Sequence, residues 1–148
     1  MKIIQIVGRS NSGKTTLIKK LIPALGGMGS VGVIKHLGDH LYTLAEGKDT
    51  TGFFTAGAAI SVGIDAEKSV ATIRDTSLDF SLALLYEKGM DFAVIEGFKT
   101  HPYLRIVVGD LPADTCVLRN PNVDAILKSL DRFPDYQPPA AGSRTGRR

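Results

Sequence analysis

The sequence predicts an α/β fold of three layers, with a mostly parallel sheet and an antiparallel hairpin insertion. A β-branched run at residues 2–7 leads into a glycine-rich loop and then into apolar residues at helical spacing. Further apolar runs alternate with helical patterns, which is typical of parallel strands joined by helices. Two short runs at residues 59–63 and 69–73 flank a polar turn and predict the hairpin.

In the first half of the chain, β-branched runs predict strands over residues 2–7 and 30–36. Apolar residues at helical spacing predict a helix between them, over residues 16–25, and the glycines that follow end this helix. A polar loop then separates the second strand from a helix predicted over residues 49–58. The hairpin follows directly.

In the second half, Thr76 is expected to cap a helix with Asp79 three residues on, and Gly89 is expected to end it. A buried strand over residues 91–96 follows, and it ends in an acid. Two more strands and a closing helix complete the predicted fold, at residues 104–108, 115–118 and 122–132. In folds of this class, ligands bind at the carboxyl ends of the strands.

Residues 8–15 form a complete G-x-x-x-x-G-K-T phosphate-binding loop, the Walker A motif. It lies between a strand and a helix, which is the context that the motif requires. Gly8 and Gly13 let successive N–H groups point at phosphate oxygens, at the positive end of the helix. We expect Lys14 to reach the β- and γ-phosphates and the Thr15 hydroxyl to bind Mg²⁺. The sequence therefore predicts a P-loop NTPase fold that binds a nucleoside di- or triphosphate.

The composition is that of a globular protein of one domain, with 43% hydrophobic and 22% charged residues in a chain of 148. No apolar run approaches the ~20 residues of a membrane span, so we expect no membrane association. The first residues are strand-like rather than a signal peptide, and a cytoplasmic location is expected. Cys116, the single cysteine, excludes an intramolecular disulfide and is predicted to be a buried strand residue.

The net charge of +3 is concentrated at the end of the chain. Residues 134–148 contribute +2, from Arg144, Arg147 and Arg148 against Asp135. The remainder is close to neutral, so we predict no nucleic-acid partner. The Pro/Gly/Ser character of this segment predicts a disordered tail over residues 134–148, following a P-loop nucleotide-binding domain over residues 1–133.

Charged residues follow the predicted strands at the edge where the phosphates would lie. Glu96 ends a buried strand, where P-loop proteins place an acid near Mg²⁺ or the attacking water. The alternative is that it marks the point where the strand reaches solvent. Lys35 ends the second strand and either contacts phosphates or is a strand-end residue with its head in water. Lys14 and Glu96 are thus the candidate catalytic residues, and Thr15 and Glu96 the candidate metal ligands.

Other polar residues give weaker signals. Asp49 begins a predicted helix, as a residue of its first turn or as a water-mediated ligand of Mg²⁺. His36, Asp39 and His40 are loosely spaced and indicate a metal site only weakly. Lys99 follows Glu96 closely, and a lysine at such a position is more often a surface residue than part of a site.

Taken together, several segments resemble the molybdopterin-guanine dinucleotide biosynthesis protein B (MobB) family of P-loop GTP-binding proteins. The similarity covers about residues 2–108 in the same order and spacing. It is carried by the phosphate loop and by Val-Gly-Val-Ile-Lys-His at 31–36, Gly-Lys-Asp-Thr at 47–50, Ala-Gly-Ala at 56–58 and Ile-Glu-Gly-Phe-Lys at 95–99.

The resemblance implies a GTP-binding protein that hydrolyses GTP weakly, with Mg²⁺, and that is usually a homodimer. The family assists the attachment of GMP to molybdopterin and works with a separate guanylyltransferase, so molybdopterin is a possible further ligand. Carried over by position, the phosphate-binding residues are Gly8, Arg9, Ser10, Asn11, Ser12, Gly13, Lys14, Thr15 and Thr16. The residues lining the rest of the site are Lys35, His36, Asp49, Glu96 and Lys99.

The chain departs from the family pattern in two places. Phe53 and Phe54 replace part of a basic stretch, and they could serve a dimer or partner contact. The Asn-Lys-x-Asp motif that recognises guanine is absent, although residues 119–124 (Arg-Asn-Pro-Asn-Val-Asp) occupy the place of a base-recognition loop with different spacing. Guanine preference therefore follows from the resemblance alone.

Two other functions stay open at this level. A small-molecule P-loop kinase would carry arginines on a mobile lid, and the arginines outside the tail form no cluster. A nucleotide-gated binding module with negligible turnover would need only the phosphate loop. A nickel-insertion GTPase is disfavoured because it would need a Cys/His pair for the metal. The preferred prediction is a slow, Mg²⁺-dependent GTPase that acts as an accessory protein.

Overall fold

The computed structural model describes residues 1–139, and it confirms the predicted three-layer α/β fold. Its contacts divide the chain into two units, Met1–His36 with the chain from Leu82 onward, and Leu37–Ser81. The elements in chain order are β1 (Lys2–Gly8), α1 (Lys14–Gly26), β2 (Val31–Lys35), α2 (Asp49–Thr55), β3 (Ile60–Ile64), β4 (Ser69–Ile73), α3 (Leu78–Glu87), β5 (Phe92–Glu96), β6 (Arg105–Val108), β7 (Cys116–Arg119) and α4 (Val123–Leu127).

A parallel sheet of five strands, in the order β2-β5-β1-β6-β7, organises the first unit. The central strands β1 and β5 are apolar along almost their whole length, as expected for strands covered on both faces. In the register of the sheet, Glu96 pairs with Ile6 of β1 and with Lys35 of β2. The ends of these three strands therefore meet at the edge where the phosphate loop begins.

Both faces of this sheet are buried. On one face, β-strand side chains pack with those of α1 and α4 in a core that includes Ile4, Ile6, Ile18, Leu21, Leu25, Val94, Ile106 and Ile126. On the other face, Ile3, Ile95 and Val107 are fully or almost fully buried. There Gly32 of β2 lets Leu85 of α3 approach, because a Cβ at Gly32 would lie 2.6 Å from the leucine methyl groups. The helices on opposite faces make the three layers.

The second unit contains α2 and the predicted antiparallel hairpin of β3 and β4. Ser61 is buried, and its hydroxyl donates to the Thr50 carbonyl of α2 at 2.8 Å. Strand side chains alternate between faces, so Ile60, Val62 and Ile64 lie on the face opposite Ser61, and they are 54%, 50% and 80% exposed. The hairpin thus packs on α2 with one face and leaves an apolar face open.

The predicted cap of α3 is wrong by one residue. Ser77, rather than Thr76, accepts a hydrogen bond from the Phe80 N–H at 3.1 Å. Asp75 accepts from the N–H and hydroxyl of Ser77, and these hydrogen bonds lower the pKa of Asp75. The Ser77 hydroxyl thus donates to the Asp75 carboxylate and accepts from the first turn of the helix. The Thr76 hydroxyl makes neither of these hydrogen bonds.

Ser77→Ala is expected to lower the free energy of unfolding by about 1 kcal/mol, the usual cost of losing a side-chain cap. Thr76→Ala is the matched control and should change it by less than about 0.5 kcal/mol, because no cap is lost. Urea denaturation of the two variants and the wild type measures both effects. A larger loss for Thr76→Ala would restore the assignment made from the sequence.

Two further expectations need correction. The closing helix predicted over residues 122–132 ends at Leu127, and a separate 3₁₀ turn follows at Leu130–Arg132. Cys116 is half-buried rather than buried, and its thiol donates to the Leu118 carbonyl. β7 is the last strand of the sheet, which explains why its side chains keep partial exposure.

The first residues of the expected tail are packed on β1. The Ile3 N–H donates to the Pro134 carbonyl at 2.9 Å, and the Tyr136 N–H donates to the Met1 carbonyl at 2.8 Å. Lys2 forms an ion pair with Asp135 at 3.1 Å. Residues 134–136 therefore contact the start of β1, whereas the domain end expected at residue 133 stays a prediction. Arg144, Arg147 and Arg148 lie outside the described residues.

Candidate functional site

The loop between β1 and α1 has the backbone needed to surround a phosphate. Asn11 and Gly13 both adopt positive φ angles, 59° and 95°, which turn the chain tightly. Gly8 cannot carry a side chain, because a Cβ there would collide with the Val108 carbonyl and the Ser12 hydroxyl. The first backbone bond of α1 runs from the Leu17 N–H to the Gly13 carbonyl at 3.0 Å. The N–H groups of the first turn of α1, those of Lys14, Thr15 and Thr16, are thus available to an anion.

The Lys14 side chain lies folded over this loop. Its Nζ donates to the Arg9 carbonyl at 2.6 Å. Burial lowers the pKa of Lys14 below its ordinary value; the Glu96 carboxylate opposes this shift, and the charges of Lys99 and Lys35 add to it. Partial burial, with two lysine charges nearby, thus disfavours the charged form of Lys14 more than the Glu96 carboxylate favours it. A polyphosphate in the loop would supply negative charge that favours the charged form.

Glu96 joins the phosphate loop to the neighbouring strand end. Its side chain is 11% exposed, and the Thr15 hydroxyl donates to Oε2 at 3.1 Å. The Lys35 ammonium lies 3.3 Å from Oε1. The parallel register explains this geometry, because it brings Lys35 beside Glu96 at the end of the sheet. A hydroxyl and a carboxylate in contact can both bind one divalent cation.

The residues present fit Mg²⁺ bound together with a nucleotide. Mg²⁺ is usually held by one or two carboxylates, a hydroxyl and substrate phosphates, with water filling the other positions. Thr15 and Glu96 supply the protein part of such a set. Among residues 1–139 no group of three His, Cys, Asp or Glu side chains could hold a metal by itself, and this includes His36, Asp39 and His40.

Ser12 provides a second test of the fit. Its Oγ is buried and has no hydrogen-bond partner among the described residues. An unsatisfied buried hydroxyl is costly and calls for a ligand or water to complete it. Because Ser12 lies in the loop, a phosphate oxygen there could accept its hydrogen bond. The orphaned hydroxyl is therefore consistent with a site built for a bound phosphate.

The structure brings most of the predicted site residues into one cleft of about 370 Å³. This cleft is lined by Ser10, Asn11, Ser12, Gly13, Lys14, Thr15, Thr16, Lys35 and Glu96. Gly8 forms the base of the loop at the end of β1. The exposed Arg9 side chain instead forms an ion pair with Asp110 at 3.0 Å.

The remaining predicted residues do not line this cleft. Lys99 is exposed and close enough for its charge to lower the pKa of Lys14. The His36 ring packs against Phe98, with 4.6 Å between ring centroids. Asp49 is exposed in the first turn of α2, in the second unit, so its expected role near Mg²⁺ stays a prediction.

Two buried residues that shape the site were missed from the sequence. Gln5 of β1 donates to the carbonyls of Gly97 and Phe98 at 2.8 and 2.7 Å. Arg105 of β6 donates to the carbonyls of Lys99, His101 and Tyr103. Both therefore hold the loop that follows Glu96. The available signal was a polar residue within an apolar strand, as for Gln5, or at its start, as for Arg105.

The comparison with known proteins decides the family. A sequence model of the family described as molybdopterin guanine dinucleotide synthesis protein B, MobB, matches residues 3–128. The chain belongs to this family. The matched region includes the phosphate loop, Lys35, Glu96 and the segment up to α4, so the whole candidate site lies within the MobB pattern.

Individual relatives agree with this assignment. A probable molybdopterin-guanine dinucleotide biosynthesis adapter protein of Bacillus subtilis (strain 168) is 36% identical over 132 residues, which cover 84% of this chain and 75% of that protein. The adapter protein of Haemophilus influenzae is 35% identical over 72% of this chain, which corresponds to 62% of that protein. The crystal structure of Bacillus subtilis MobB superposes with a TM-score of 0.69 at 24% identity, covering 92% of this chain and 100% of that one, and it supports the fold.

No helix within residues 1–139 is long and apolar enough to cross a membrane.

Proposed function

We propose that this protein is an adapter in the formation of molybdopterin guanine dinucleotide, and that it binds GTP with Mg²⁺ and hydrolyses it slowly. Its partner is a guanylyltransferase that attaches GMP to molybdopterin. The adapter role follows from membership of the MobB family and from the names of its relatives. Nucleotide binding rests on one observation above all, the contact of Thr15 and Lys35 with the buried Glu96 beside the phosphate loop.

The loop binds the phosphates through charge and geometry. Its N–H groups lie at the positive end of α1, which favours an anion. Lys14 gives up its bond to the Arg9 carbonyl and turns its ammonium to the β- and γ-phosphates. The backbone of the free loop already has the positive φ angles at Asn11 and Gly13. The entropic cost of ordering the loop when a nucleotide binds is therefore small.

Glu96 and Thr15 then position the reacting end of the nucleotide. Thr15 and Glu96 would hold Mg²⁺ there, and the cation would supply positive charge to offset the charge of the γ-phosphate. The Thr15 hydroxyl would be a ligand of the cation, and the Glu96 carboxylate would orient the attacking water. Lys35 keeps the Glu96 carboxylate in position and adds positive charge. No covalent intermediate is required, and the expected turnover is slow because, within residues 1–139, no arginine lines the phosphate cleft.

A kinase is less well supported because the arginines that it would need are engaged elsewhere. Arg9 is paired with Asp110. Arg74, Arg105 and Arg119 donate to backbone carbonyls. Stabilising a transferred phosphoryl group requires cationic side chains that can turn towards it. Each of these four arginines would have to break its present hydrogen bonds before it could turn towards a phosphoryl group.

We include in this proposal that the protein forms a homodimer and contacts the guanylyltransferase. The support for both contacts is the apolar face of the second unit, formed by Ile60, Val62 and Ile64 of β3. Phe53 of α2 is also 61% exposed. Apolar side chains grouped on one face of an element are typical of surfaces that another protein covers.

Titration calorimetry with GTP and ATP, in Mg²⁺ and in EDTA, tests nucleotide binding. We expect the affinity for GTP to fall by at least about tenfold when Mg²⁺ is removed, because Thr15 and Glu96 then lose the cation that links them to the γ-phosphate. Slow release of phosphate should accompany binding in Mg²⁺. Equal affinity with and without Mg²⁺ would remove the cation from the proposal, and absence of heat with either nucleotide would overturn it.

A further inference from the structure

A second cleft, of about 560 Å³, adjoins the phosphate site. Gly13 and Thr16 line both clefts, so the two lie side by side at the start of α1. The other walls are Leu17 and Lys20 of α1 and the segment of residues 121–124, which leads from β7 into α4. A nucleotide with its phosphates in the loop has its sugar and base within reach of this second cleft.

The walls of the second cleft are held in place before any ligand binds. Ile126 of α4 is fully buried in the core that it shares with Leu21 of α1. Asn122 caps α4, because its Oδ1 accepts from the Ala125 N–H at 2.9 Å. Just before it, the Asn120 N–H donates to the Val107 carbonyl, and its Oδ1 accepts from the Gly109 N–H. The cleft is therefore preorganised, which lowers the entropic cost of binding.

The chemistry of the lining matches a purine. Leu17, Pro121 and Val123 offer apolar surface for the faces of a flat ring. Asp124, an exposed residue of the first turn of α4, is the one acid of this lining. Its carboxylate has no hydrogen-bond or ion-pair partner among residues 1–139. Asn122 also lines the cleft, but its Oδ1 is engaged by the helix cap. Asp124 is thus the acceptor that remains for the edge of a base.

A carboxylate distinguishes guanine from adenine. Guanine presents N1–H and a 2-amino group side by side, and one carboxylate can accept from both. Adenine presents a lone pair at N1, which a carboxylate repels. We propose that the second cleft holds the base of the nucleotide and that Asp124 selects guanine by accepting from N1–H and the 2-amino group. This inference rests on the proposed GTP binding and adds the residue that determines specificity.

Asp124→Asn tests the inference through a change of preference rather than a loss. Asparagine can accept from N1–H and donate to the 2-carbonyl oxygen of xanthine. Titration of wild type and variant with GTP and xanthosine triphosphate, both in Mg²⁺, measures four affinities. We expect the variant to bind GTP roughly 10- to 100-fold more weakly and xanthosine triphosphate more tightly than the wild type does.

Two controls separate this inference from the proposed function. Asp131→Asn alters an exposed acid outside the cleft and should leave the preference for GTP unchanged. Lys14→Ala should weaken both nucleotides together, because it acts on the phosphates. If the wild type prefers GTP and Asp124→Asn leaves that preference unchanged, or weakens both nucleotides in parallel, the inference is overturned and GTP binding stands. If the wild type binds no triphosphate, both fail.

Discussion

Lys14→Ala is expected to lower the affinity for GTP by about 100-fold or more. The Lys14 ammonium lies 2.6 Å from the Arg9 carbonyl, and burial, with the charges of Lys99 and Lys35, lowers its pKa in spite of Glu96. In the complex it would form charge-assisted hydrogen bonds with two phosphates, each worth about 1.5–3 kcal/mol. Removing them costs about 3 kcal/mol or more, and each 1.4 kcal/mol is a factor of ten in affinity. Titration calorimetry in Mg²⁺ measures the loss.

Lys19→Ala is the matched control for this change. Lys19 is an exposed residue of α1 that lines neither cleft, so its removal lowers the positive charge by the same amount without touching the phosphates. We expect its affinity for GTP to stay within about twofold of the wild type, since exposed charges interact weakly in water. If the protein is an adapter that needs bound GTP, Lys14→Ala should also abolish its effect on GMP attachment by the guanylyltransferase. Equal affinities for the two variants would show that the loop does not bind the triphosphate.

The arrangement of the site could be predicted from the sequence because it follows from local patterns and one topological rule. The phosphate loop is a contiguous motif with a strand before it and a helix after it. Lys35 and Glu96 each end an apolar run, and parallel strands bring such ends to one edge. The sequence thus predicted that both residues lie at one edge, whereas their separation of 3.3 Å depends on the pairing of β2 with β5.

The contacts that hold the site could not be predicted, because they join residues far apart in the chain. Gln5 and the loop at Gly97 are separated by more than ninety residues, and their hydrogen bond exists only once β1 and β5 pair. Arg105 is buried without a carboxylate beside it, and its partners are backbone carbonyls, which carry no side-chain signature in a sequence. A sequence pattern shows where polar residues occur in the strands, but it does not show which backbone carbonyls they will contact.

The prediction of the residue that caps α3 was wrong for a different reason. Thr76 and Ser77 are adjacent hydroxyl residues, and either could cap α3 on sequence grounds. The Asp75 carboxylate decides between them by binding the N–H and hydroxyl of Ser77. In the last part of the described chain, α4 ends at Leu127 although the helical pattern continues, and Phe133 beyond it is buried in the core. Tertiary packing overrides local propensity in this case.

Glu96→Gln is expected to leave the affinity for GTP within about fivefold of the wild type while lowering the rate of hydrolysis by roughly 10- to 100-fold. The amide is the same size as the carboxylate and can still accept from the Thr15 hydroxyl, so the cleft keeps its shape. The amide oxygen can still be a ligand of Mg²⁺, but the variant loses the negative charge that orients the attacking water. Such positioned groups contribute about 10²-fold or more to phosphoryl transfer. Release of phosphate under single-turnover conditions measures the chemical step directly.

The comparison with Glu87→Gln makes the outcome specific to the site. Glu87 is an exposed residue at the end of α3 that lines neither cleft, and its variant has the same change in charge. It should hydrolyse GTP at the wild-type rate. Because Lys35 pairs with Glu96, the glutamine variant also leaves that ammonium uncompensated beside the γ-phosphate, which favours binding of the triphosphate. The structure therefore explains why Glu96→Gln would keep its affinity for GTP while hydrolysing it slowly. Equal rates of hydrolysis by Glu96→Gln and Glu87→Gln would exclude Glu96 from the chemical step.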